Sequence, residues 1–353
     1  MITQGPTVAE FEQRFAEYVG ARHAVAFANG TAALHGAAHA AGLGPGDEML
    51  TTPLSFVASA NCALYMGASP RFVDVDPATW NLDTAATAAQ ASEGTRAIVA
   101  VSLAGLPVDL EPLQDVRDRV VVIEDGCHAL GGYRDGLRVG GPGAADMTTF
   151  SLHPVKAMTT GEGGMVTTED DQLAARLRSF RTHGVAREDL SPSADEGSWY
   201  YEVRELGFNY RLTDFQCALG LSQLERLDGW IAARSEIAGW YRELLAGEPR
   251  IALPPPAPEG SLHAYHLFVV RVLAGAAARR EVFEGLRAAG IGVQVHYIPI
   301  YRFPYFRDTL GCPQDTCPHA EEYYAGAISL PMYPTLSRSD VERVVSELTR
   351  LLP

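Results

Sequence analysis

The segment Val120-Val121-Val122-Ile123-Glu124-Asp125 is a continuous apolar run that ends in two acidic residues. Another apolar run, Ala97-Ile98-Val99-Ala100-Val101, precedes it in the chain. Such short continuous runs are typical of strands that are buried on both faces of a parallel sheet. Because ligands bind beyond the carboxyl ends of strands in open α/β sheets, Asp125 is predicted to face a binding site.

Short apolar runs alternate with helical patterns along most of the chain, which favours an α/β fold with a mostly parallel sheet. Further strands are predicted at 24–27, 48–51, 71–74, 266–272 and 294–298, and the runs 147–150 and 165–168 could pair as neighbouring strands. Helices are predicted at 31–41, 55–65, 215–245, 279–289 and 337–352. We expect a large α/β domain over residues 1–228, and a connecting helix with a smaller α+β C-terminal domain over residues 229–353.

The composition of the chain limits the classes of partner that we expect. The 353 residues include 43 acidic and 28 basic side chains, giving a formal net charge of -15. Nucleic acid is therefore not expected as the main partner, because phosphate backbones require a basic surface. No apolar run approaches the roughly 20 residues that cross a bilayer, and the N-terminal residues do not resemble a signal peptide, so we expect a cytoplasmic protein without a membrane partner.

The cysteines predict reduced thiols rather than a disulfide framework, since there are five of them and they are scattered. Cys312 and Cys317, with His319 nearby, could suggest a metal ion. Their spacing fits no zinc pattern well and a fourth ligand is missing, so no metal is expected.

One residue type is almost absent. Lys156 is the only lysine, so the other 27 basic residues are arginines. A lysine can lose its proton and form a Schiff base, whereas a guanidinium cannot become a neutral nucleophile. The alternative is that one surface lysine survived by chance, and its surroundings decide between the two interpretations.

Two motifs near predicted strand ends could hold a phosphorylated ring. Asn29-Gly30-Thr31 opens a helix of small residues, where free N–H groups could bind phosphate, although an ordinary helix start has the same pattern. Asp125 could keep a heterocyclic nitrogen protonated, and His128 could contact the same ligand. A strand-end cap followed by a packed histidine would look similar.

The lysine lies in Ser151-Leu152-His153-Pro154-Val155-Lys156, where the hydroxyl of Ser151 could bind phosphate while the amine reaches an aldehyde. Phe56 follows Thr52-Pro53-Leu54-Ser55 and could stack on a flat ring, although a phenylalanine is more often part of the core. A phosphate anchor, an acid, a lysine and an aromatic ring together predict a pyridoxal phosphate site.

Five stretches carry a resemblance that covers nearly the whole chain. They are Asn29-Gly30-Thr31-Ala32-Ala33-Leu34, Glu124-Asp125, Phe150 to Lys156, Thr160-Gly161-Glu162-Gly163-Gly164 and Gly207-Phe208-Asn209-Tyr210-Arg211. With these stretches the chain resembles the DegT/DnrJ/StrS family of sugar aminotransferases. The resemblance implies a fold-type I enzyme that depends on pyridoxal 5'-phosphate, with pyridoxamine phosphate as its half-reaction form. It also implies a homodimer with shared active sites.

The resemblance implies a role for each matching residue. Lys156 would form the Schiff base with the cofactor and Asp125 would pair with the pyridine nitrogen. The remaining cofactor contacts would come from Gly30, Thr31 and Ser151 on the phosphate, Asn209 on the phosphate of the partner subunit, Phe56 on the ring and His128 near the 3-hydroxyl. His128 stands where many members have glutamine, so its contact is open. The substrate candidates are Tyr201 in the polar stretch 187–201, Arg211, His296 and Tyr297.

Within the family, three stretches are most similar to the aminotransferases of pseudaminic acid biosynthesis: His153-Pro154-Val155-Lys156, Gly197 to Glu202 and Val295 to Pro299. This implies transfer of an amino group from L-glutamate to C4 of UDP-2-acetamido-2,6-dideoxy-hexos-4-ulose. Alternatives are an aminotransferase acting on a dTDP-keto sugar or a cyclitol ketone, a sugar dehydratase, and a non-catalytic regulator. The family's dehydratases have histidine in place of the lysine, so Lys156 argues against that class.

Overall fold

The computed structural model describes residues 2–3, 5–143, 145–191, 196–313 and 316–353. Ten α-helices lie in this part of the chain: α1 (Pro6–Val19), α2 (Gly30–Ala40), α3 (Ala58–Tyr65), α4 (Thr84–Gln90), α5 (Asp171–Arg181), α6 (Asp214–Leu224), α7 (Leu227–Leu244), α8 (Gly275–Ala288), α9 (Pro318–Gly326) and α10 (Arg338–Leu351). Among the described residues, no helix is both long and apolar enough to cross a membrane.

Fourteen strands accompany these helices in the described ranges. They are β1 (His23–Phe27), β2 (Glu48–Thr51), β3 (Ser69–Phe72), β4 (Thr95–Val101), β5 (Val121–Asp125), β6 (Tyr133–Arg134), β7 (Leu137–Arg138), β8 (Met147–Ser151), β9 (Gly164–Thr168), β10 (Val185–Ala186), β11 (Glu202–Val203), β12 (Ile251–Ala252), β13 (Phe268–Val272) and β14 (Ala327–Leu330).

Seven strands form the main sheet, in the order β1-β9-β8-β5-β4-β2-β3. The strands from β8 to β3 pair in parallel, while β9 runs antiparallel to both β8 and β1. The predicted α/β class and the predicted pairing of 147–150 with 165–168 are therefore confirmed. Since β1 is antiparallel to β9 and β9 is antiparallel to β8, β1 runs in the same direction as β8. The carboxyl ends of β1, β2, β5 and β8 therefore lie along one edge of the sheet.

Small residues let α2 approach the sheet closely. A Cβ atom on Gly36 would lie 2.6 Å from the ring of Phe27 on β1, so only glycine fits there without a shift. The alanines of α2 are buried against the same core as Val25 and Phe27. This close packing holds the N-terminus of α2, at Gly30, at the sheet edge where the strands end.

The C-terminal part of the chain has its own core. Strands β12, β13 and β14 form an antiparallel sheet, which packs with α7, α8 and α10. Tyr241 of α7 is fully buried there and stacks on Phe268 of β13, with ring centroids 4.8 Å apart. The division at residues 228 and 229 stays a prediction.

Several predicted elements differ from the observed ones. The predicted strand 294–298 is wrong, because only Gln294 forms a bridge, with Ser329. His296 forms hydrogen bonds with side chains instead of a neighbouring strand. Its Nδ1 lies 2.8 Å from the Ser329 hydroxyl, and its carbonyl accepts from the Tyr323 hydroxyl. The predicted helix 215–245 is two helices, α6 and α7. The predicted helix 55–65 begins only at Ala58, so Phe56 precedes it.

Candidate active site

The edge where β1, β5 and β8 end gathers the predicted cofactor residues. Asp125 is the last residue of β5 and Ser151 is the last residue of β8. Asn29 caps α2 just after β1, accepting a hydrogen bond from the backbone N–H of Ala32 at 2.8 Å. Parallel strands bring these three chain segments together although they are far apart in sequence.

Gly30 and Ser151 form a narrow cradle. A Cβ atom on Gly30 would lie 2.8 Å from the Cβ and 3.1 Å from the Oγ of Ser151. The cradle therefore combines the first helical N–H groups of α2 with a serine hydroxyl, and the partly buried Thr31 adjoins it. N–H groups at a helix N-terminus together with a hydroxyl are suited to bind a phosphate group.

Asp125 is held by donors that the sequence analysis did not identify. It is buried, and its Oδ2 accepts a hydrogen bond from Ser59 Oγ at 2.7 Å, while its Oδ1 accepts from the Cys127 backbone N–H at 3.1 Å. Ser55 Oγ lies 2.7 Å from Ser59 Oγ and extends the network. Donors of this kind stabilise a carboxylate charge. The sequence signal that could have identified these donors is the pair Ser55 and Ser59, which lie four residues apart around the start of a helix.

The two acidic residues at the end of β5 have different surroundings. The Glu124 side chain accepts a 2.5 Å hydrogen bond from Ser102 Oγ, and burial raises its pKa to about 7. Successive side chains of a strand point to opposite faces, so the two carboxyl groups of Glu124 and Asp125 are separated by the sheet. Of this acidic pair, only Asp125 joins the site.

Lys156 lies among imidazole rings. Its backbone N–H donates to the His153 carbonyl at 2.9 Å, and the side chain is partly buried. Burial and then the positive charge of Lys156 hold the pKa of His128 and His266 well below the usual value, and lower that of His296 to about 4. The lone lysine is therefore partly buried and close enough to three histidines for its charge to act on them, unlike a cation on an open surface.

His128 and Tyr297 meet, although the sequence analysis assigned them to cofactor and substrate separately. The Tyr297 hydroxyl lies 3.1 Å from His128 Nε2, and the two rings are stacked at an interplanar angle of 15°. His266 packs against the same imidazole, with ring centroids 4.4 Å apart. The sequence analysis did not identify His266, because the pattern that predicts a strand gives no signal of which distant side chains its residues contact.

Phe56 is 59% exposed, so the interpretation of this residue as a core phenylalanine is wrong. It lies between the buried Ser55 and the start of α3, and the packing of these neighbours fixes the position of its backbone. An exposed ring in this place is available to stack on a planar ligand.

The remaining candidates have other contacts on this chain, although Tyr210, between Asn209 and Arg211, accepts a hydrogen bond from the Ala28 backbone N–H at 2.8 Å, next to Asn29. Asn209 is exposed and pairs with Thr182 in a bridge, while Arg211 lines a cavity of about 190 Å³ with Glu12 and Arg181. Tyr201 is exposed, with the Arg187 guanidinium 5.7 Å from its ring centroid. Within the described residues, no hydrogen bond or ring contact joins these residues to Lys156 or Asp125. Residues 192–195 of the predicted stretch 187–201 lie outside the described residues.

The described ranges contain no group of three or more His, Cys, Asp or Glu side chains that could hold a metal ion. His319 lies near Cys312 and Cys317 in sequence, and its backbone N–H donates to the Asp74 carboxylate at 2.9 Å.

The mostly parallel seven-stranded sheet and its close similarity to solved aminotransferase structures are those of a fold-type I enzyme that depends on pyridoxal phosphate. The model of the DegT/DnrJ/EryC1/StrS aminotransferase family matches residues 1–349. The chain belongs to this family and is a sugar aminotransferase.

Three known proteins illustrate the similarity. GDP-perosamine synthase of Caulobacter vibrioides is 38% identical over 351 residues, which cover 99% of this chain and 91% of the relative. The structure of Helicobacter pylori PseC, an aminotransferase involved in the biosynthesis of pseudoaminic acid, has a TM-score of 0.89 at 31% identity, covering 99% of this chain and 92% of that chain. A putative sugar aminotransferase from Streptococcus pneumoniae, solved in its PMP form, has a TM-score of 0.91 at 29% identity, covering 99% and 92%.

Proposed function

We propose that this enzyme transfers the amino group of L-glutamate to the C4 keto group of a nucleotide-linked 4-keto-6-deoxy sugar, with UDP-2-acetamido-2,6-dideoxy-hexos-4-ulose as the substrate. The observation that carries the proposal is the position of Lys156, the only lysine, which is partly buried and close enough to His128 for its charge to act on it, as Asp125 ends the neighbouring strand β5. Similarity to Helicobacter pylori PseC supports this sugar, because that protein is involved in pseudoaminic acid biosynthesis.

The residues of this edge fit a pyridoxal phosphate molecule. The Gly30–Ser151 cradle suits its phosphate, and Asp125, already held by Ser59, suits a protonated pyridine nitrogen. The exposed ring of Phe56 is free to cover the ring face. His128 Nδ1 is buried without a hydrogen-bond partner among the described residues, which leaves it available to the 3-hydroxyl.

When bound, pyridoxal phosphate would supply an electron sink and would also store the amino group between the two half-reactions. Lys156 would hold it covalently, give way to the amine of glutamate, and then carry the proton at Nζ to and from the substrate carbon. Asp125 would keep positive charge on the pyridine nitrogen throughout. His296 is close enough to Lys156 for the lysine charge to lower its pKa, and Tyr297 is hydrogen-bonded to His128; both would contact the sugar.

A homodimer with shared sites would place Asn209 on the partner's phosphate and bring Tyr201 and Arg211 to the partner's substrate. Two features support this arrangement. Asn209 is exposed, and large apolar side chains near it and on α6 are also exposed, with Leu206 82% and Phe215 79% accessible in the single chain. A second copy would cover this surface.

A second candidate function is the same reaction on a sugar carrying another nucleotide. The 38% identity with GDP-perosamine synthase favours keeping this candidate, because that protein's name specifies a GDP-linked product. Cyclitol ketones remain a further alternative within the same reaction class.

The test is to incubate the purified enzyme with pyridoxal phosphate, L-glutamate and UDP-, GDP- and dTDP-linked 4-keto-6-deoxy sugars. Mass spectrometry would detect the amino sugar, and NMR would identify the aminated carbon. We expect turnover of the UDP-linked sugar at C4 and none with Lys156→Arg. Faster turnover of another nucleotide sugar would refute the substrate assignment, and the absence of transamination with every ketone would refute the proposed function.

A further inference from the structure

His128 is a neutral imidazole. It is 6% exposed, packed against Tyr297 and His266, and its burial together with nearby positive charge keeps its pKa far below the physiological range. The titratable groups that act on it or on the ring of Tyr297 come from several segments: Lys156, His266, His296, Asp125, Cys127 and Tyr323. A neutral imidazole carries one N–H, so the proton of His128 must sit on either Nδ1 or Nε2.

The Tyr297 hydroxyl decides which nitrogen carries the proton. Burial raises the pKa of Tyr297, so its hydroxyl keeps its hydrogen. In the described part of the chain, the hydrogen bond of this hydroxyl is to His128 Nε2, at 3.1 Å. If Nε2 donated instead, the hydroxyl hydrogen would have no acceptor among the described residues. With the hydroxyl as donor, Nε2 is the acceptor and the N–H of His128 is on Nδ1.

His128 Nδ1 is a donor that needs an acceptor. It is buried, and the described residues offer it no hydrogen-bond partner. A buried donor without a partner is destabilising, so a ligand atom is expected to accept from it. His128 lies three residues after Asp125 and is close enough to Lys156 to respond to its charge, so this ligand is the one bound between them.

We propose that Tyr297 is a positioning residue that fixes the tautomer of His128, so that Nδ1–H donates to the 3-oxygen of the bound cofactor. The inference rests on the proposed function, which places the cofactor between Asp125 and Lys156. It assigns to Tyr297 a task that is separate from any contact with the sugar.

The consequence is a change in the acidity of the imine nitrogen that joins Lys156 to the cofactor. A donor to the 3-oxygen stabilises negative charge on that oxygen, which is greatest when the imine nitrogen is neutral. The donor therefore lowers the pKa of the imine. Without the Tyr297 hydroxyl, His128 can move its proton to Nε2 and turn a lone pair toward the 3-oxygen, and the imine pKa rises.

The experiment compares Tyr297→Phe with the wild-type enzyme, both loaded with pyridoxal phosphate. The pH at which the yellow absorbance disappears is measured, and we expect the midpoint to rise by about 0.5–1 pH unit in the variant, as the loss of one hydrogen bond implies. Tyr241→Phe is the matched control, because it also removes a buried hydroxyl, whose bond is to the Pro331 carbonyl in the C-terminal core. Adding Tyr297→Phe to His128→Leu should leave the midpoint of His128→Leu unchanged.

A second measurement reads the tautomer directly, by ¹⁵N NMR of the histidine rings, with His128 assigned from the signal lost in His128→Leu. We expect Nδ1 of His128 to be protonated in the wild type and the proton to redistribute in Tyr297→Phe. A proton on Nε2 in the wild type, or an unchanged midpoint in Tyr297→Phe that still binds the cofactor, would overturn the inference. A wild-type enzyme that never turns yellow would instead overturn the proposed function, and the NMR measurement would still test the tautomer.

Discussion

The Gly30→Ala substitution tests whether the contact between α2 and β8 holds the phosphate. The new Cβ would stand 2.8 Å from the Cβ of Ser151, whereas carbon atoms in contact normally lie about 3.5–4.0 Å apart. The serine or the start of α2 must therefore move by roughly 0.7–1.2 Å. Overpacking of this size costs about 1–3 kcal/mol, and the displaced atoms are those that we assign to the phosphate.

We expect the dissociation constant for pyridoxal phosphate to rise about 5- to 100-fold, since each 1.4 kcal/mol corresponds to about tenfold. The assay titrates the apo-enzyme with pyridoxal phosphate and separately with pyridoxal, which has the same aldehyde and ring but no phosphate. The affinity for pyridoxal should change little, because Lys156 and Asp125 are unaltered. Urea denaturation of the same protein measures how much of the strain is taken up by the fold.

Gly239→Ala is the matched control. Gly239 lies within α7, and a Cβ atom added there meets nothing within 4 Å. This variant should gain about 0.5–1 kcal/mol in the free energy of unfolding and bind the cofactor as the wild type does. If Gly30→Ala weakened pyridoxal and pyridoxal phosphate equally, or weakened neither, the assignment of the phosphate to this cradle would be refuted.

Three further predictions concern the lysine, the dimer and a buried carboxyl group. Lys156→Arg should fold but give no yellow absorbance, and borohydride reduction of the wild type should label only the peptide containing Lys156; a label elsewhere would contradict its role. A mixture of Lys156→Ala and Asn209→Asp subunits should regain part of the activity after exchange, and proven exchange without recovery would show that the sites are not shared. Because burial raises the pKa of Glu124 to about 7, folding holds a proton there that the unfolded chain releases, so stability is lost as the pH rises from about 4.5 to 7. Urea denaturation at pH 4 and pH 8 should show a loss of stability about 3 kcal/mol smaller in Glu124→Gln than in the wild type, and equal losses in both proteins would disprove the prediction.

Much of the fold could be predicted from local sequence. The apolar runs at 97–101 and 120–123 are long enough, and free enough of polar residues, to indicate strands buried on both faces, and they lie in β4 and β5. The run 294–298 looked equally strand-like. It failed because the partners that decide its conformation, Ser329 and Tyr323, come from distant segments and bind its polar groups.

The candidate site also has features that the sequence predicts and features that only the tertiary structure shows. A chain with one lysine and 27 arginines draws attention to Lys156, because only lysine can offer a neutral nucleophile, and the motif around it favours that role over chance survival. The motif around Asp125 likewise places an acid at a strand end. Tertiary structure decided what each of these residues touches, including the Ser59 hydroxyl on Asp125 and the exposure of Phe56.

The sequence by itself determined the fold class and the family, and it singled out Lys156 as the candidate reactive amine, because each of these depends on residue type and local pattern. Only the tertiary structure decided that Tyr297 would reach His128, 169 positions earlier in the chain, and that Gly30 would press against Ser151. The physical reason is that hydrogen bonds and steric contacts act over a few ångströms. Which residues come that close is set by the packing of the whole sheet and its helices.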